Sequence, residues 1–497
     1  MSHMCACWAR SICKGPTDMR QPDAIRVANA LRRSLSARRK ACDEWRATPG
    51  RDIPHGRIDK VTPNALRARL PGASLGEQCR IVSPVIDAEV IAVEGPHVWL
   101  SPYAEPSGVA NGALVYALGT PSRVAVDEHM GGQVLDGLGR RLDAGTNTGT
   151  NTGTNTGTNT GTDAALQGMF DDSQDTARSG AVWRSLDAPP PPAMTRVLVS
   201  TPLPLGIRAI DGLLTCGRGQ RIGIFAAAGG GKSTLLSMMC QGADADIIVL
   251  ALIGERGREV REFLEHALTP AARARTVCVV ATSDRPALER MKAAYTATAI
   301  AEAFRDQGKD VLLLMDSLTR FGRAVRDIGM AAGEPLGAAS GLPPSFYARL
   351  PRLLEQAGTA ERGSITAFYT VLVEGDNLDE PLADEVRSIL DGHIVLSRRL
   401  AQENHYPAID IAASLSRVMR QVTDAHHVEA AARVRRAMAL ASEVELLVRV
   451  GEYQPGEDVE TDDALSRSPD IRAFLCQPYG EIASFDETQA WLARLTT

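Results

Sequence analysis

The central part of the chain alternates short apolar runs with segments of helical spacing, and this alternation constrains the fold more than any other feature. The apolar runs lie at residues 220–226, 247–254, 276–282, 311–317, 364–373 and 393–398. Helical patterns follow the first three runs, and the longest of them spans residues 287–306. Continuous apolar strands separated by helices predict a mostly parallel sheet that is covered on both faces. The predicted fold class is therefore α/β.

The regions on either side have different patterns. Residues 55–126 contain short alternating runs bounded by Gly, Pro or Asn, which predict a small N-terminal β-barrel. Residues 425–497 read as helices only, which predicts a C-terminal helical domain. Residues 1–54 read as a tail with one helix at 24–35 and a basic run after it, either a solvated helix or a docking helix.

Residues 127–196 are predicted to be a connector between the barrel and the central domain at 197–424. This connector holds four copies of GTNT at residues 145–160, and small polar repeats have no apolar surface to bury. We therefore expect a mobile surface loop here. The proline-rich segment at 188–196 predicts a stiff, extended return to folded structure.

Composition and charge narrow the class of function. A net charge of -6 and a pI near 5.9 argue against a protein that works by neutralising nucleic-acid phosphates. The nine cysteines are scattered without Cys-x-x-Cys spacing, which favours free thiols in a reducing cytosol. The longest apolar runs are too short to cross a bilayer. These observations predict a cytoplasmic protein.

The segment FAAAGGGKSTLL at residues 225–236 has the residues of a phosphate-binding loop, with Ala226 where a glycine is usual. In such loops the glycines let backbone N–H groups turn toward the phosphates, a lysine supplies mobile positive charge, and a hydroxyl binds Mg²⁺. Residues 229–231, Lys232 and Ser233 supply these three functions. The alternative is a helix N-terminus whose glycines bind nothing.

Two carboxylates follow apolar runs of the predicted sheet. Glu255 comes directly after residues 247–254, and Asp316 lies near the end of residues 311–317. The carboxyl ends of parallel strands share one sheet edge, so both should lie beside the phosphate loop. Glu255 there could polarise the water that attacks a γ-phosphate, and Asp316 could hold Mg²⁺ through water. A surface glutamate paired with a neighbouring arginine remains an alternative for Glu255.

Six stretches together carry a resemblance to a known family: GIFAAAGGGKSTLL, IGERGREV, LLLMDSLTRF, LPPSFYARLPRLLEQAG, GSITAFYTVLVEGDNLDEPLADEVRSILDGHIVLSR and YPAIDIAASLSRVM. From about residue 55 to its end, the chain resembles the ATPases of type III protein secretion systems. That family includes the flagellar export ATPase and is related to the β subunit of rotary ATP synthases. The AAAGGGKST loop is most similar to the virulence-type branch, in which alanine at this place is usual. The resemblance implies that the central domain is a RecA-like P-loop ATPase domain.

The resemblance also implies ATP as substrate, Mg²⁺ as cofactor and a set of site residues. The residues implied at the phosphates and the metal are Ala228, Gly229, Gly230, Gly231, Lys232, Ser233, Thr234 and, through water, Asp316. Glu255 is implied to be the catalytic carboxylate, with support from Arg256 and Glu259. Arg320 matches a nearby structural arginine.

Other matched positions concern the base and the neighbouring subunit. Arg417 matches an arginine that reaches into the neighbour's site, although an intrachain salt bridge is the alternative. Tyr406 and Tyr479 match aromatic positions that flank the adenine, although Tyr479 could be a core tyrosine. Residues 329–347 resemble a flexible loop facing a central pore, with an ordinary surface loop as the alternative.

The function implied is ATP hydrolysis by a homohexameric ring at the cytoplasmic base of a type III secretion apparatus, peripheral to the inner membrane. Its implied work is chaperone release, unfolding and export of secreted proteins. The implied partners are a stator-like regulator, a central stalk protein and effector–chaperone complexes, with no specific nucleic acid. Three alternatives remain: a rotary synthase β-like subunit, a ring RNA translocase and a non-catalytic binding subunit. The presence of Glu255 argues against the last.

Overall fold

The computed structural model describes residues 54–142, 181–227, 229–338, 340–373, 380–454, 456 and 458–496. The predicted helix at 24–35, the GTNT repeat and Ala228 lie outside the described residues. The chain divides into a first unit, residues 1–55, and a second unit, residues 56–497. Apart from the first residue of strand β1, the architecture that follows is that of the second unit.

Six strands form the predicted N-terminal barrel, which closes in the order β1-β2-β5-β4-β3-β6. Their bounds are β1 His55–Val61, β2 Leu66–Arg69, β3 Glu77–Val82, β4 Val85–Glu94, β5 His97–Pro102 and β6 Leu114–Pro121. Alternate side chains of β3, Cys79 and Ile81, are buried against Leu66 and Leu100 inside the barrel. This alternation is the period-2 pattern read from the sequence.

The central sheet is mostly parallel, as predicted, and the described residues contribute nine strands to it. Its main path runs β17-β16-β10-β15-β13-β11-β12-β8, and only β17 and the short β14 pair antiparallel with a neighbour. The bounds are β8 Val134–Asp136, β10 Arg221–Ala226, β11 Ile247–Ile253, β12 Thr276–Ala281, β13 Asp310–Asp316, β14 Gly358–Thr359, β15 Ser364–Leu372, β16 Gly392–Leu396 and β17 Ile409–Ser416.

Helices cover both faces of this sheet. Their bounds are α1 Arg208–Leu213, α2 Lys232–Gly242, α3 Gly257–Glu262, α4 Pro270–Ala274, α5 Ala287–Asp306, α6 Leu318–Ala331, α7 Pro344–Gln356, α8 Pro381–Ile389, α9 Arg398–Gln402, α10 Met419–Val422, α11 Ala425–Val450, α12 Val459–Leu475 and α13 Phe485–Arg494. Alternate residues of β11 enter opposite layers: Val249 packs in the layer of α5 and α6, whereas Leu250 packs in that of α2. The strand is apolar throughout because both faces are buried.

The predicted connector contributes structure of its own. Strand β8 joins the central sheet parallel to β12, and its three residues are buried. Strand β7 (Arg123–Val126) pairs with β9 (Val182–Ser185) in a separate two-stranded ribbon, on which Arg123 lies over the ring of Trp183. Runs this short carry too few residues to show a period.

A buried polar cluster joins the barrel to α5. The ammonium of Lys292 lies 2.8 Å from a carboxylate oxygen of Glu89 on β4. That oxygen also accepts hydrogen bonds from the hydroxyls of Tyr103 and Ser122, each at 2.8 Å. The side chains of Lys292 and Glu89 are only 2% and 7% exposed. A buried charge pair of this kind is tolerated only when it is fully hydrogen-bonded.

The C-terminal part is helical, as predicted. Helix α11 ends at Gly451, whose φ of 77° is the left-handed conformation that favours glycine at this position. Helix α13 begins with a capping box, in which Ser484 and Glu487 satisfy each other's backbone N–H groups. Among the described residues, no helix is long and apolar enough to cross a membrane.

Candidate nucleotide site

The glycine-rich loop connects the end of β10 at Ala226 to the start of α2 at Lys232. Gly229 and Gly231 have φ values of 82° and 84°, so the turn depends on a left-handed backbone conformation that residues other than glycine rarely adopt. The first N–H groups of α2 have no partner within the helix, and they face the end of the sheet where anions are bound in such folds. The loop therefore has the geometry of a phosphate cradle.

Lys232 brings the two predicted carboxylates together. Its ammonium lies 2.6 Å from Oδ1 of Asp316 and 3.5 Å from Oε1 of Glu255. The three side chains are between 5% and 13% exposed, so solvent screens the pairs weakly. The lysine that is predicted to bind phosphate is thus held between the ends of β11 and β13.

Asp316 is the most buried member of this group. Burial raises the pKa of its carboxyl, and the charge of Lys232 opposes that effect. The hydroxyl of Thr370 on β15 donates a hydrogen bond of 2.8 Å to the same oxygen. Thr370 fixes the direction of the carboxylate, and the sequence analysis missed it because it lies within an apolar strand run.

The loop hydroxyl fits a magnesium site that takes most of its ligands from elsewhere. Ser233 is exposed on the first turn of α2, beside Lys232. Within the described ranges, no group of three or more His, Cys, Asp or Glu side chains could hold a metal ion by itself. Mg²⁺ prefers few protein ligands together with water and phosphate oxygens. One hydroxyl and one nearby carboxylate are compatible with that preference.

A cavity of about 800 Å³ lies next to the loop. It is lined by Thr234, Met238, Asn404, Tyr406, Ala473, Cys476, Gln477, Pro478 and Tyr479. Tyr406 lies against the loop, since a Cβ atom added to Gly231 would be 3.4 Å from its ring. Tyr479 is 53% exposed, which excludes the core position that the sequence left open. Both predicted aromatic residues therefore line one cavity beside the phosphate loop.

The wall that carries Tyr479 is held by residues that the sequence analysis did not identify. The side-chain amide of Gln477 accepts a hydrogen bond from the N–H of Arg208 and donates to the carbonyls of Gly206 and Glu481. The guanidinium of Arg208 donates to the carbonyls of Phe474 and Cys476 and pairs with Glu481. The only sequence signal was the position of Gln477 two residues before Tyr479.

Three predicted arginine and glutamate positions lie near the site in different ways. Arg256 and Glu259 form an ion pair with each other at 3.4 Å, and both side chains are at least half exposed. Arg320 on α6 packs beneath Gly254, and its buried Nε has no hydrogen-bond partner among the described residues. The pair formed by Arg256 and Glu259 at the start of α3 is thus open to a neighbouring molecule, whereas Arg320 supports the end of β11.

Arg417 lies at the opposite edge of the sheet from the phosphate loop. It follows Ser416 of β17, which pairs with Gly392 at the start of β16, whereas Ala226 pairs with Leu396 at the end of β16. The four-residue offset corresponds to a separation of about 13 Å along the strand. The guanidinium is exposed and has no ion pair or hydrogen bond within the described part of the chain. The intrachain salt bridge left open by the sequence is therefore not seen there.

Comparison with known proteins also indicates a nucleotide-binding domain in the central part of the chain. The family model for the ATP synthase alpha/beta family, nucleotide-binding domain, matches residues 206–416, and the model for the T3SS EscN ATPase C-terminal domain matches residues 423–494. The SPI-2 type 3 secretion system ATPase of Salmonella typhimurium is 52% identical over 428 residues, which cover 86% of this chain and 91% of the relative.

Solved structures agree with these matches. The assembled ATPase EscN from the type III secretion system of enteropathogenic E. coli is similar with a TM-score of 0.80 and 48% identity, over 89% of this chain and 100% of that chain. EscN in complex with its central stalk EscO is similar with a TM-score of 0.78 and 47% identity, over the same shares of both chains.

Proposed function

The chain belongs to the type 3 secretion system ATPase family, and from that premise we propose that it works as a ring of six identical copies in which each nucleotide is shared by two neighbours. The observation that carries this proposal is the separation of Arg417 from the phosphate loop of its own chain. An arginine that completes a phosphoryl-transfer site speeds the reaction by about 10³ to 10⁵. The exposed guanidinium is free to do this for the next copy.

Glu255 is the group in our proposal that orients and polarises the attacking water. It lies at the end of β11, 3.5 Å from Lys232, and its side chain is 12% exposed. When phosphates enter the cradle, the lysine is drawn from the two carboxylates toward the new negative charge. That movement leaves Glu255 without its cation and so available to accept a proton from water.

Asp316 and Ser233 would hold Mg²⁺, the serine directly and the aspartate through water. When bound, the ion neutralises charge that develops on the phosphate oxygens. The chain's own contribution is positional, because Thr370 orients the Asp316 carboxylate and the start of α2 presents the hydroxyl. The residue types suit the ion, since both offer oxygen atoms.

The cavity beside the loop would hold the base of the nucleotide. Tyr406 and Tyr479 offer ring faces for stacking, and the hydroxyl of Tyr479 is anchored to Ser237 at 3.0 Å. An anchored ring loses little freedom on binding, so its contact with the base costs little entropy.

The wider role that we propose is work at the cytoplasmic base of a type III secretion apparatus, peripheral to the inner membrane. There the ring would release export substrates from chaperones and help to unfold them, with a stator-like regulator and a central stalk protein as partners. The match at residues 423–494 to a secretion-type C-terminal domain supports this role over that of a rotary synthase subunit.

Mixing two inactive variants tests the shared site. Lys232→Ala removes the phosphate contact and Arg417→Ala removes the proposed contact across the interface, so each homogeneous ring should be nearly idle. Mixed rings contain some interfaces with an intact loop and an intact arginine, so we expect partial recovery of ATPase rate. Arg420→Ala, an exposed arginine three residues away, is the matched control and should stay active. No recovery in rings shown by mass to be mixed would refute the proposal.

A further inference from the structure

The polar side chains of the base cavity differ in how far they are already engaged. The side-chain amide of Gln477 accepts a hydrogen bond from the backbone N–H of Arg208 and donates to the carbonyls of Gly206 and Glu481. These hydrogen bonds already occupy its oxygen and its nitrogen. The hydroxyl of Tyr479 bonds to Ser237 and to the carbonyl of Ala267. These two residues therefore form part of the cavity wall, but their polar groups are already engaged and have little capacity left to hydrogen-bond to a base.

Asn404 is different. It lines the cavity, is exposed, and its side-chain amide makes no hydrogen bond with any described residue. Its backbone sits just beyond α9 with φ of 57°, and its N–H donates to the carbonyl of Ala401 at 3.1 Å. This is the left-handed position after a helix end, where glycine is the usual residue and asparagine the next. Backbone geometry alone would accept glycine, so the amide is an addition that the turn does not need.

An amide places a donor and an acceptor side by side. Adenine presents the same pair in reverse, an exocyclic N–H donor next to a ring nitrogen acceptor, so the two can form paired hydrogen bonds. Thr234 and Tyr406 also line the cavity, but each carries only a single hydroxyl. Among the described residues that line the cavity, Asn404 is thus the one whose uncommitted side chain matches a purine edge in two places.

We propose that the amide of Asn404 hydrogen-bonds to the edge of the adenine base and is a specificity-determining residue of this ATPase. The inference rests on the proposed function, because it requires the cavity to hold the base. The proposed function has the base stacked on aromatic rings, and this inference adds hydrogen bonds from Asn404 to the edge of the base.

The test compares ATP with purine riboside triphosphate, which lacks the exocyclic amino group, on the full-length assembled protein. In the unaltered protein KM should be roughly 3- to 10-fold higher for the analogue, the size of the one partly exposed hydrogen bond that the missing amino group would have made. Asn404→Gly preserves the left-handed turn and removes the amide. In this variant KM for ATP should rise by at least the same factor, because both hydrogen bonds are lost. The KM values of the two nucleotides should become equal, and kcat for ATP should change little.

Two further variants sharpen the result. Asn404→Asp keeps the size and the tolerance of the turn but replaces the donor with an acceptor, so it should raise KM for ATP more than glycine does. Glu403→Gln removes a neighbouring exposed ion pair with Arg399 and should leave the ratio of KM values unchanged.

The outcomes separate this inference from the proposed function. Suppose that Tyr479→Ala raises KM for ATP, while Asn404→Gly leaves the ratio of KM for the analogue to KM for ATP unchanged. The cavity then holds the base, and the role of Asn404 is refuted. If neither variant changes KM for ATP, both the base site and the proposed contact of Asn404 with the base are refuted.

Discussion

Replacing Lys292 with methionine should loosen the barrel from the central domain. The substitution removes the cation that lies 2.8 Å from Glu89 while keeping a side chain of similar length in the same buried space. Glu89 would remain buried without its cation, and the hydrogen bonds from the hydroxyls of Tyr103 and Ser122 would be left to satisfy its carboxyl oxygen. We expect the free energy of unfolding to fall.

The contacts of Glu89 limit how far the free energy of unfolding should fall. Breaking a buried pair by removing one partner costs about 3–5 kcal/mol. Because two hydroxyls still donate to Glu89, the lower end, about 3 kcal/mol, is expected for Lys292→Met. The double variant Lys292→Met/Glu89→Gln removes both buried charges of the pair and should recover most of the loss, because Asp187, the other carboxylate near Lys292, is 39% exposed. Arg433→Met breaks an ion pair of 2.6 Å whose side chains are more than 60% exposed, and it should cost at most about 1 kcal/mol.

Hydrogen exchange measured by mass spectrometry, alongside urea unfolding, locates the effect. A loss of about 3 kcal/mol corresponds to roughly 100-fold faster exchange of the affected amides. We expect it in barrel strands such as β4 and in the middle of α5, while α12 keeps its protection. The reasoning is refuted if Lys292→Met costs no more than Arg433→Met, or if the double variant is less stable than Lys292→Met alone.

Two further predictions concern single carboxyl groups. Glu255→Gln should keep the dissociation constant for ATP, measured by equilibrium dialysis, within about 2-fold and lower kcat by at least about 100-fold, because only the proton acceptor is lost; normal turnover would remove the assigned role. Burial raises the pKa of Glu302 to about 7, against the opposing charge of Arg305. The folded protein therefore holds this proton more tightly than the unfolded chain does, and the free energy of unfolding should fall as pH rises from about 4.5 to about 7. Glu302→Gln should remove up to about 3 kcal/mol of that fall, and urea titrations with equal pH slopes for both proteins would contradict the assignment.

The patterns visible in the sequence were those of long, uniform segments. Apolar runs such as residues 247–254 predicted interior strands because both faces of a parallel sheet are buried. The two strands at the ends of the sheet escaped notice: β8 has three residues, and β17 mixes buried and exposed Ala and Ser. Neither length nor composition distinguishes such strands from loops.

The site was predictable where chemistry follows a strand directly. Glu255 and Asp316 stand at the ends of two apolar runs, Lys232 follows the glycine loop after a third, and the topology brings the three to one edge of the sheet. Residues that act from a distance in sequence were not predictable: Arg208 supports a wall more than 260 residues further along the chain. Two of its partners are the backbone carbonyls of Phe474 and Cys476, which no pattern of side chains in the sequence can indicate.

The anchoring of β8 and β9 has a consequence for how this gene can vary. Strand β8 is fastened into the central sheet, with Arg141 bridged back to Leu135, and β9 is fastened to β7, so the chain is secured on both sides of residues 143–180. Variants that gain or lose whole GTNT units change the length of the chain between these two anchors and alter neither anchor. Such length variants should therefore keep the same fold and the same ATPase rate.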